Sequence, residues 1–440
     1  VKQGLIGRAT SSRHNPLARL LGFRMFTAGL APNVRWNFRI TLFHWLLAGV
    51  FVGVLEPYVA VVARRLGGDE LTVALVYSGQ FIGGVLAICG PYVLRSIHPA
   101  HAVGILWAAA RLAFVAAIFI NDPVAYLGMV LVWAISAMFA VPLYVGVTQD
   151  AFPRRVRGRL IGLTQAVMAL VMLVTAPLAG RLMDTVGFGP VFAMAGVAGA
   201  IGAVALVRIR ASDRPPKNPP PPWIMFRQTI RNRRFSGFMA SYATVAFGDL
   251  LLLPTIAIVL VDTFDASFTV VGLLALVQSI AWTGGFILWG HVTDRRSGPF
   301  VVWMSVVLKI AIAGIFIVAI LADNVWVLLP AYAVFGLKLS AADIGYQTSL
   351  ASLARPDEID AFSTSFWFIL GLLGVGTPLL GALVLASWGP LATFIIALGI
   401  AIVGSALMGR VARGFVPAEE AAPQAAATIK DQRWHTTLPR

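Results

Sequence analysis

The chain is predicted to be an all-α membrane protein, with twelve transmembrane helices forming two six-helix pseudo-repeats around a central cavity. Three observations lead there. Of its 440 residues, 58% are hydrophobic and 12% charged, against about 45–50% and about 25% in soluble domains. Apolar runs long enough to cross the bilayer, which takes roughly 20 helical residues, recur twelve times. The pattern of glycine, arginine and proline in one half returns in the other at an offset near 200 residues.

The elements follow in order. Residues 1–35 form a basic segment in which Leu17, Leu20 and Leu21 stand at helical spacing among Arg19 and Arg24. This suits either an interfacial helix or a disordered tail. The next apolar run is too long for a signal peptide. Within the first half, 36–207, the spans are Trp36–Ala63, Leu71–Leu94, Pro99–Ile120, Pro123–Gln149, Leu160–Met183 and Gly189–Val207. Residues 208–234 are a linker whose "RPPKNPPPPW" excludes a continuous helix. The second half, 235–409, holds Phe235–Val261, Thr269–Val292, Phe300–Leu321, Val325–Gln347, Phe362–Ser387 and Pro390–Met408. The Ala- and Pro-rich tail, 410–440, is expected to be disordered. A single cysteine, Cys89, excludes an intrachain disulfide.

The formal charge of +15 does not point to nucleic acid once the bases are sorted by loop. Almost all loop arginines and lysines fall on the face of the two termini, while the opposite face has Arg64, Arg65 and Arg181. The termini are therefore expected in the cytoplasm, with the excess charge toward anionic lipid. The expected location is a bacterial cytoplasmic membrane, and the expected state a monomer.

Sliding the halves across each other tests for duplication. At an offset of 200, Gly84, Gly90, Arg95 and Pro99 fall on Gly284, Gly290, Arg295 and Pro299. At 201, "APLAG" (176–180) falls on "TPLLG" (377–381), and at 197 Pro57 falls on Pro254. Six spans is an even number, so the halves share one orientation.

With "GHVTDRRSG" closing the eighth span, this architecture resembles the major facilitator superfamily of secondary transporters. Gly290, Asp294, Arg295 and Gly298 carry the resemblance. Their first-half counterpart keeps Gly90 and Arg95 but has Leu94 in place of the acid. The resemblance implies that Asp294 faces the start of span eleven as part of a gate, where free N–H groups favour an anion, and Gly290 is expected to permit close helix packing. A cluster that only sets topology is the competing reading. The loops after spans four and ten hold Arg154, Arg155 and Arg157 against Asp357, Glu358 and Asp360. Repeat symmetry suggests either a clasp across the cytoplasmic opening or two solvated surfaces.

Ionisable groups inside spans are costly and mark function. They are Glu56, Arg111, Asp249, Lys309, Lys338 and Asp343. The resemblance implies that spans one, four, seven and ten line the cavity, which selects Glu56, Asp249, Lys338 and Asp343 as proton-coupling or substrate-binding groups. It leaves Arg111 and Lys309 to packing. Tyr242 shares a helix face with Asp249, Tyr346 and Gln347 share one with Asp343, and Tyr144 shares one with Thr148. Lys338 and Asp343, five apart, are poorly placed to pair. His44 is expected to be a bystander.

Nucleotide loops, metal-ligand clusters and nucleophile elbows are missing from the sequence. An enzyme is not expected, and neither a metal nor a cofactor. The expectation is a secondary transporter of a small organic solute working by alternating access, coupled to protons, with a slight preference for export of cationic or amphipathic compounds. Uptake of a neutral metabolite is the alternative. A transport-inactive scaffold or sensor is the alternative from another class.

Overall fold

The computed structural model describes residues 29–87, 93–94, 96–210, 226–227, 229–353 and 359–414. The expectations for the N-terminal segment, the proline-rich run, the tail, Gly90, Arg95, Asp357 and Glu358 lie outside the described residues. So do those that rest on the side chains of Arg154, Asp294 and Asp360.

Described secondary structure is helical throughout. The first half comprises α1 (Pro32–Arg65), α2 (Glu70–Leu86), α3 (Pro99–Ile118), α4 (Pro123–Ala151), α5 (Arg154–Val186) and α6 (Phe188–Arg208). The second comprises α7 (Arg233–Thr263), α8 (Phe268–Arg295), α9 (Gly298–Leu321) and α10 (Val325–Leu350), then Ile359–Arg413, which divides at Gly389 into α11 (359–388) and α12 (390–413). Among the described residues ten helical segments are long and apolar enough to span a membrane, the last running through both α11 and α12, while α2 is shorter. The twelve helices agree with the spans expected from hydropathy to within a few residues at most ends.

Local chemistry sets the boundaries. Pro57 lacks an N–H and breaks α1 over 56–58, after which Val59–Arg65 resumes helix. Asp69 caps α2 by accepting from the Thr72 N–H at 2.8 Å, and Asp122 and Asn232 cap α4 and α7 in the same way. Gly187 (φ 80°) and Gly389 (φ 76°) close the fifth helix of each half in a conformation L side chains avoid. That shared turn is a backbone trace of the duplication.

The buried side chains divide by depth. One cluster takes residues from both halves, including Tyr58, Val73, Phe192, Leu251, Phe268 and Phe316. A second belongs wholly to the first half (Phe38, Trp107, Leu143, Phe152) and a third wholly to the second (Phe235, Leu350, Phe366, Met408). The shared cluster lies toward the face opposite the termini, the distal face. The separate clusters lie toward the terminal face. The halves therefore meet at the distal side and part toward the terminal side.

Along α5 and α8 the change is visible residue by residue. Near the distal end a Cβ on Gly180 would collide with the Phe268 carbonyl and the Tyr58 hydroxyl, and one on Gly272 with Tyr58 and Pro177. Near the terminal end Gly158, Gly162, Gly284 and Gly290 face open space. Gly290 thus does not support the close packing expected of it. Gly285, against Ser340 of α10, and Gly298, against Thr348 and Ser349, do so instead. The second inter-half seam joins α2 to α11, where Ser78 donates to the Val375 carbonyl at 3.1 Å and Gly374 receives the Phe81 ring.

Polar contacts fasten the distal seam. Arg64 of α1 donates through Nε to both carboxylate oxygens of Asp262 at 3.0 Å and also approaches Glu70 at 3.2 Å. Arg65 donates to the Ala266 carbonyl while its guanidinium stacks on Phe268, 3.9 Å from the ring centre. Asp184, at the end of α5, accepts from the Phe268 N–H (2.9 Å), the Thr269 N–H (2.8 Å) and the Thr269 hydroxyl (2.6 Å). A carboxylate is thereby held on the N-terminus of α8, where free N–H groups and the helix dipole favour an anion.

Asp184→Ala is expected to loosen this seam by about 1 kcal/mol, the scale of a partly exposed charged contact, or roughly fivefold in the open population. A cysteine at Leu274, buried in the shared cluster, should then react faster from the distal side in a Cys89→Ser background. Equal rates with and without Asp184 would show that the contact does not hold the seam.

Candidate functional site: an ion triad and two accessible carboxyls

Asp249 stands near the middle of α7, five residues before the in-helix Pro254. Its carboxylate binds two lysines: Lys338 of α10 at 2.9 Å and Lys309 of α9 at 3.3 Å. Lys309 is 2% exposed and also donates to the Val245 carbonyl at 2.9 Å. Lys338 is buried with its ammonium 5.3 Å from the centre of the Phe335 ring. Asp249 itself keeps 28% of its side chain accessible. The acid is the accessible member of a group whose bases are sealed in.

The arrangement follows from solvation. An unpaired ammonium among helices is costly, so each lysine needs a carboxylate or carbonyl within reach. Gly248 leaves room for the Lys309 side chain, since a Cβ there would lie 2.8 Å from its Nζ. One acid with two bases has a net charge of +1 when all three are ionised. The triad by itself has spare positive charge, while with Glu56 and Asp343 the acids of the site still outnumber its bases three to two.

Lys309 is the residue that sequence reasoning set aside. Span nine is peripheral, which predicts a packing role, but the long lysine stem carries the ammonium inward to α7. Arg111, on the corresponding third span of the first half, does keep to packing: it donates to the Gly199 carbonyl at 2.8 Å and lies 5.4 Å from the Phe51 ring centre.

The remaining acids are placed differently. Glu56 sits on the α1 break, enclosed by protein yet accessible, as for a group facing an internal space. Among the described residues its carboxyl has no ion pair or hydrogen bond, and Tyr77 is near enough to feel its charge. Asp343 of α10 accepts from the Trp282 indole of α8 at 3.2 Å and remains exposed, as does Gln347 one turn on. Lys338 and Asp343 go to different partners. Tyr242 and Tyr346 both pack on Phe366, at 4.8 and 4.0 Å between ring centres, and the Tyr346 and Ser363 hydroxyls are 3.2 Å apart.

In the first half, Tyr144 accepts from the Trp45 indole at 2.7 Å. Thr148, expected beside it as a lining group, is buried and donates to the Val145 carbonyl of its own helix at 2.8 Å. Its hydroxyl is already used. Arg157, expected to reach across the opening, donates to the Gln149 (2.6 Å) and Phe152 (3.2 Å) carbonyls of its own half. With the terminal side apart, no acid on the other half is needed to satisfy it, and Arg155 is exposed. His44 is fully buried, stacked on Trp107 with ring centres 5.4 Å apart.

The distal groups Arg64, Asp184 and Asp262 were missed as well. A signal for them existed: acids outnumber bases in the loops of this face, and Arg64, Arg65 and Arg181 are the few bases set among them. Their partners lie across the repeat and not within it, so no local spacing reveals them. Among the described residues no cluster of His, Cys, Asp and Glu suited to a metal occurs.

Comparison with known proteins places this geometry. Residues 42–375 match the family described as the Major Facilitator Superfamily. Among solved structures, the nucleoside transporter NupG superposes with a TM-score of 0.71 at 12% identity, over 84% of this chain and 99% of that one. A bacterial homologue of the human lysosomal transporter Spinster, inward-facing and unoccupied, gives 0.64 at 14% identity, over 88% and 98%. The same homologue in its occupied form gives 0.63. Likeness at these identities is one of fold, and curated proteins yield no sequence match. The family match spans most of the chain and the twelve-helix fold agrees with it; the protein belongs to the major facilitator superfamily of membrane transporters.

Proposed function

We propose that this transporter is a proton-coupled exchanger that exports organic cations or amphipaths by alternating access. The observation that carries the reading is Glu56, an accessible carboxyl inside the membrane span with no ion pair or hydrogen bond among the described residues. Such a group has two ways to lose its desolvation cost: it binds a proton, or it binds a cationic substrate. The two compete for one carboxyl. Competition makes the exchange an antiport, and under an inward proton gradient antiport is export.

Asp343, exposed and held by Trp282, supplies a second anionic contact, and the neighbouring rings of Tyr77, Trp282 and Tyr332 suit an aromatic or quaternary cation. Asp249 has another part. Already paired with two lysines, it is unavailable to a cation unless a lysine leaves, so we assign it to tying α7, α9 and α10 into one rigid unit. The seam closed at the distal side and parted at the terminal side is the state open toward the terminal face. The positive-inside distribution makes that face cytoplasmic, so substrate enters from the cytoplasm in this state.

The spare positive charge of the triad favours a second reading, in which Lys338 and Lys309 attract a substrate carboxylate while Asp249 takes the proton. Substrates of each charge separate the two.

Two outcomes follow. Adding a bound organic cation to purified protein in weakly buffered detergent should release protons, and Glu56→Gln should abolish the release while leaving binding of neutral analogues within about threefold. Undiminished release from Glu56→Gln would remove Glu56 from coupling. Asp249→Asn should lower folding stability by about 3 kcal/mol, the scale for stripping the partner from a buried pair, read as a fall in Tm. Adding Lys309→Met should recover part of that loss, because it removes a stranded ammonium. A single variant as stable as the parent would show that the lysines do not depend on Asp249.

A further inference from the structure

We propose that the groove between α9 and α12 at the terminal face is a seat for one anionic phospholipid, with the phosphate between Arg296 and Arg413 and an acyl chain along the apolar floor. The groove has a volume of about 680 Å³, within the range of small-molecule sites. Phe300, Trp303 and Ile310 form one wall, and Ile402, Ala406 and Gly409 the other. Polar groups of the floor are satisfied from within: the Trp303 indole donates to the Ser405 hydroxyl at 3.1 Å. The indole also lies against bare backbone, since a Cβ on Gly409 would be 3.0 Å from its Nε1. The floor thus offers little to water and a long apolar surface to a chain.

Charge enters only at one end. Arg296, at the α8–α9 corner, stacks on Phe300 with its guanidinium 5.4 Å from the ring centre. Arg413, in the last turn of α12, uses Nε on the Gly409 carbonyl at 3.2 Å, which leaves its two terminal nitrogens for another acceptor. Both are exposed, and among the described residues no carboxylate pairs with either. Helix C-termini favour a base at each position, Arg413 in the last turn of α12 and Arg296 at the C-cap of α8; what distinguishes the pair is that both flank one apolar groove. Two guanidiniums at headgroup level above an apolar trough complement a phosphodiester bearing a fatty chain. Arg295 and Arg410 stand beside them and raise the local positive field. Ile402 and Val403 are exposed on α12, so the trough opens sideways toward lipid.

The test is phospholipid binding by the full-length protein in a neutral detergent, read by native mass spectrometry and by Tm. Dioleoyl phosphatidylglycerol is expected to bind and stabilise, whereas phosphatidylcholine and inorganic phosphate are not. Arg296→Gln with Arg413→Gln should weaken phosphatidylglycerol binding about thirtyfold. Ala406→Trp, which fills the trough and keeps both arginines, should also abolish it and guards against misfolding of the charge variant. Phosphatidylglycerol binding unchanged by either variant would overturn the proposal. Equal stabilisation by inorganic phosphate would do so too, since it would show an ion site without a lipid. Transport is not the readout, so the outcome stands apart from the role of Glu56.

Discussion

Two lysines and one aspartate inside the bilayer tie three helices of the second half together. Neither ammonium is tolerable there alone, and Asp249 is the carboxylate that both reach. The three residues come from α7, α9 and α10, so the electrostatic requirement fixes the spacing of three helices at once. Apolar packing in lipid supplies no comparable directional force, because hydrocarbon tails compete equally for a leucine surface. Buried charge of this kind is a weak source of stability but a strong source of specificity when removal of one partner strands the others.

The duplication makes the triad informative. Arg111 and Lys309 stand on corresponding helices, spans three and nine, yet Arg111 finishes on a phenylalanine ring and a carbonyl, and Lys309 on a carboxylate. Between them the halves meet through small residues and polar clasps at the distal face, where Asp184 sits on the start of α8 and Arg64 on Asp262. The resemblance had implied the same physics, a carboxylate on a helix N-terminus as a gate, for Asp294 on the opposite face. Asp184 makes a contact of this kind on the start of α8 at the distal side, in the state where the terminal side is parted; the Asp294 side chain lies outside the described residues.

Most of the architecture was legible because bilayer thickness and backbone hydrogen bonding leave few choices: an apolar run of the right length becomes a helix. Pro57 and the Asp69, Asp122 and Asn232 caps acted as local signals. Partners across helices were not legible. Lys309 was set aside because a helix was treated as lining or peripheral, while a lysine stem spans the difference. Thr148 shares a face with Tyr144 on a helical wheel, but a threonine in a helix commonly satisfies its hydroxyl on its own backbone, as it does here. Gly290 belongs to a recognisable motif, yet packing at α8 falls to Gly285, because the terminal end of the helix is splayed from its inter-half partner in this state.

Proton movement is proposed to drive solute movement through this fold. Purified protein in sealed liposomes with an acidic lumen tests it directly: a fluorescent organic cation such as ethidium, added outside, should accumulate as protons leave. For one-to-one neutral exchange the limit is about tenfold accumulation per pH unit, and a protonophore should collapse it. Accumulation equal to that of protein-free liposomes, or indifferent to the pH gradient, would contradict the account.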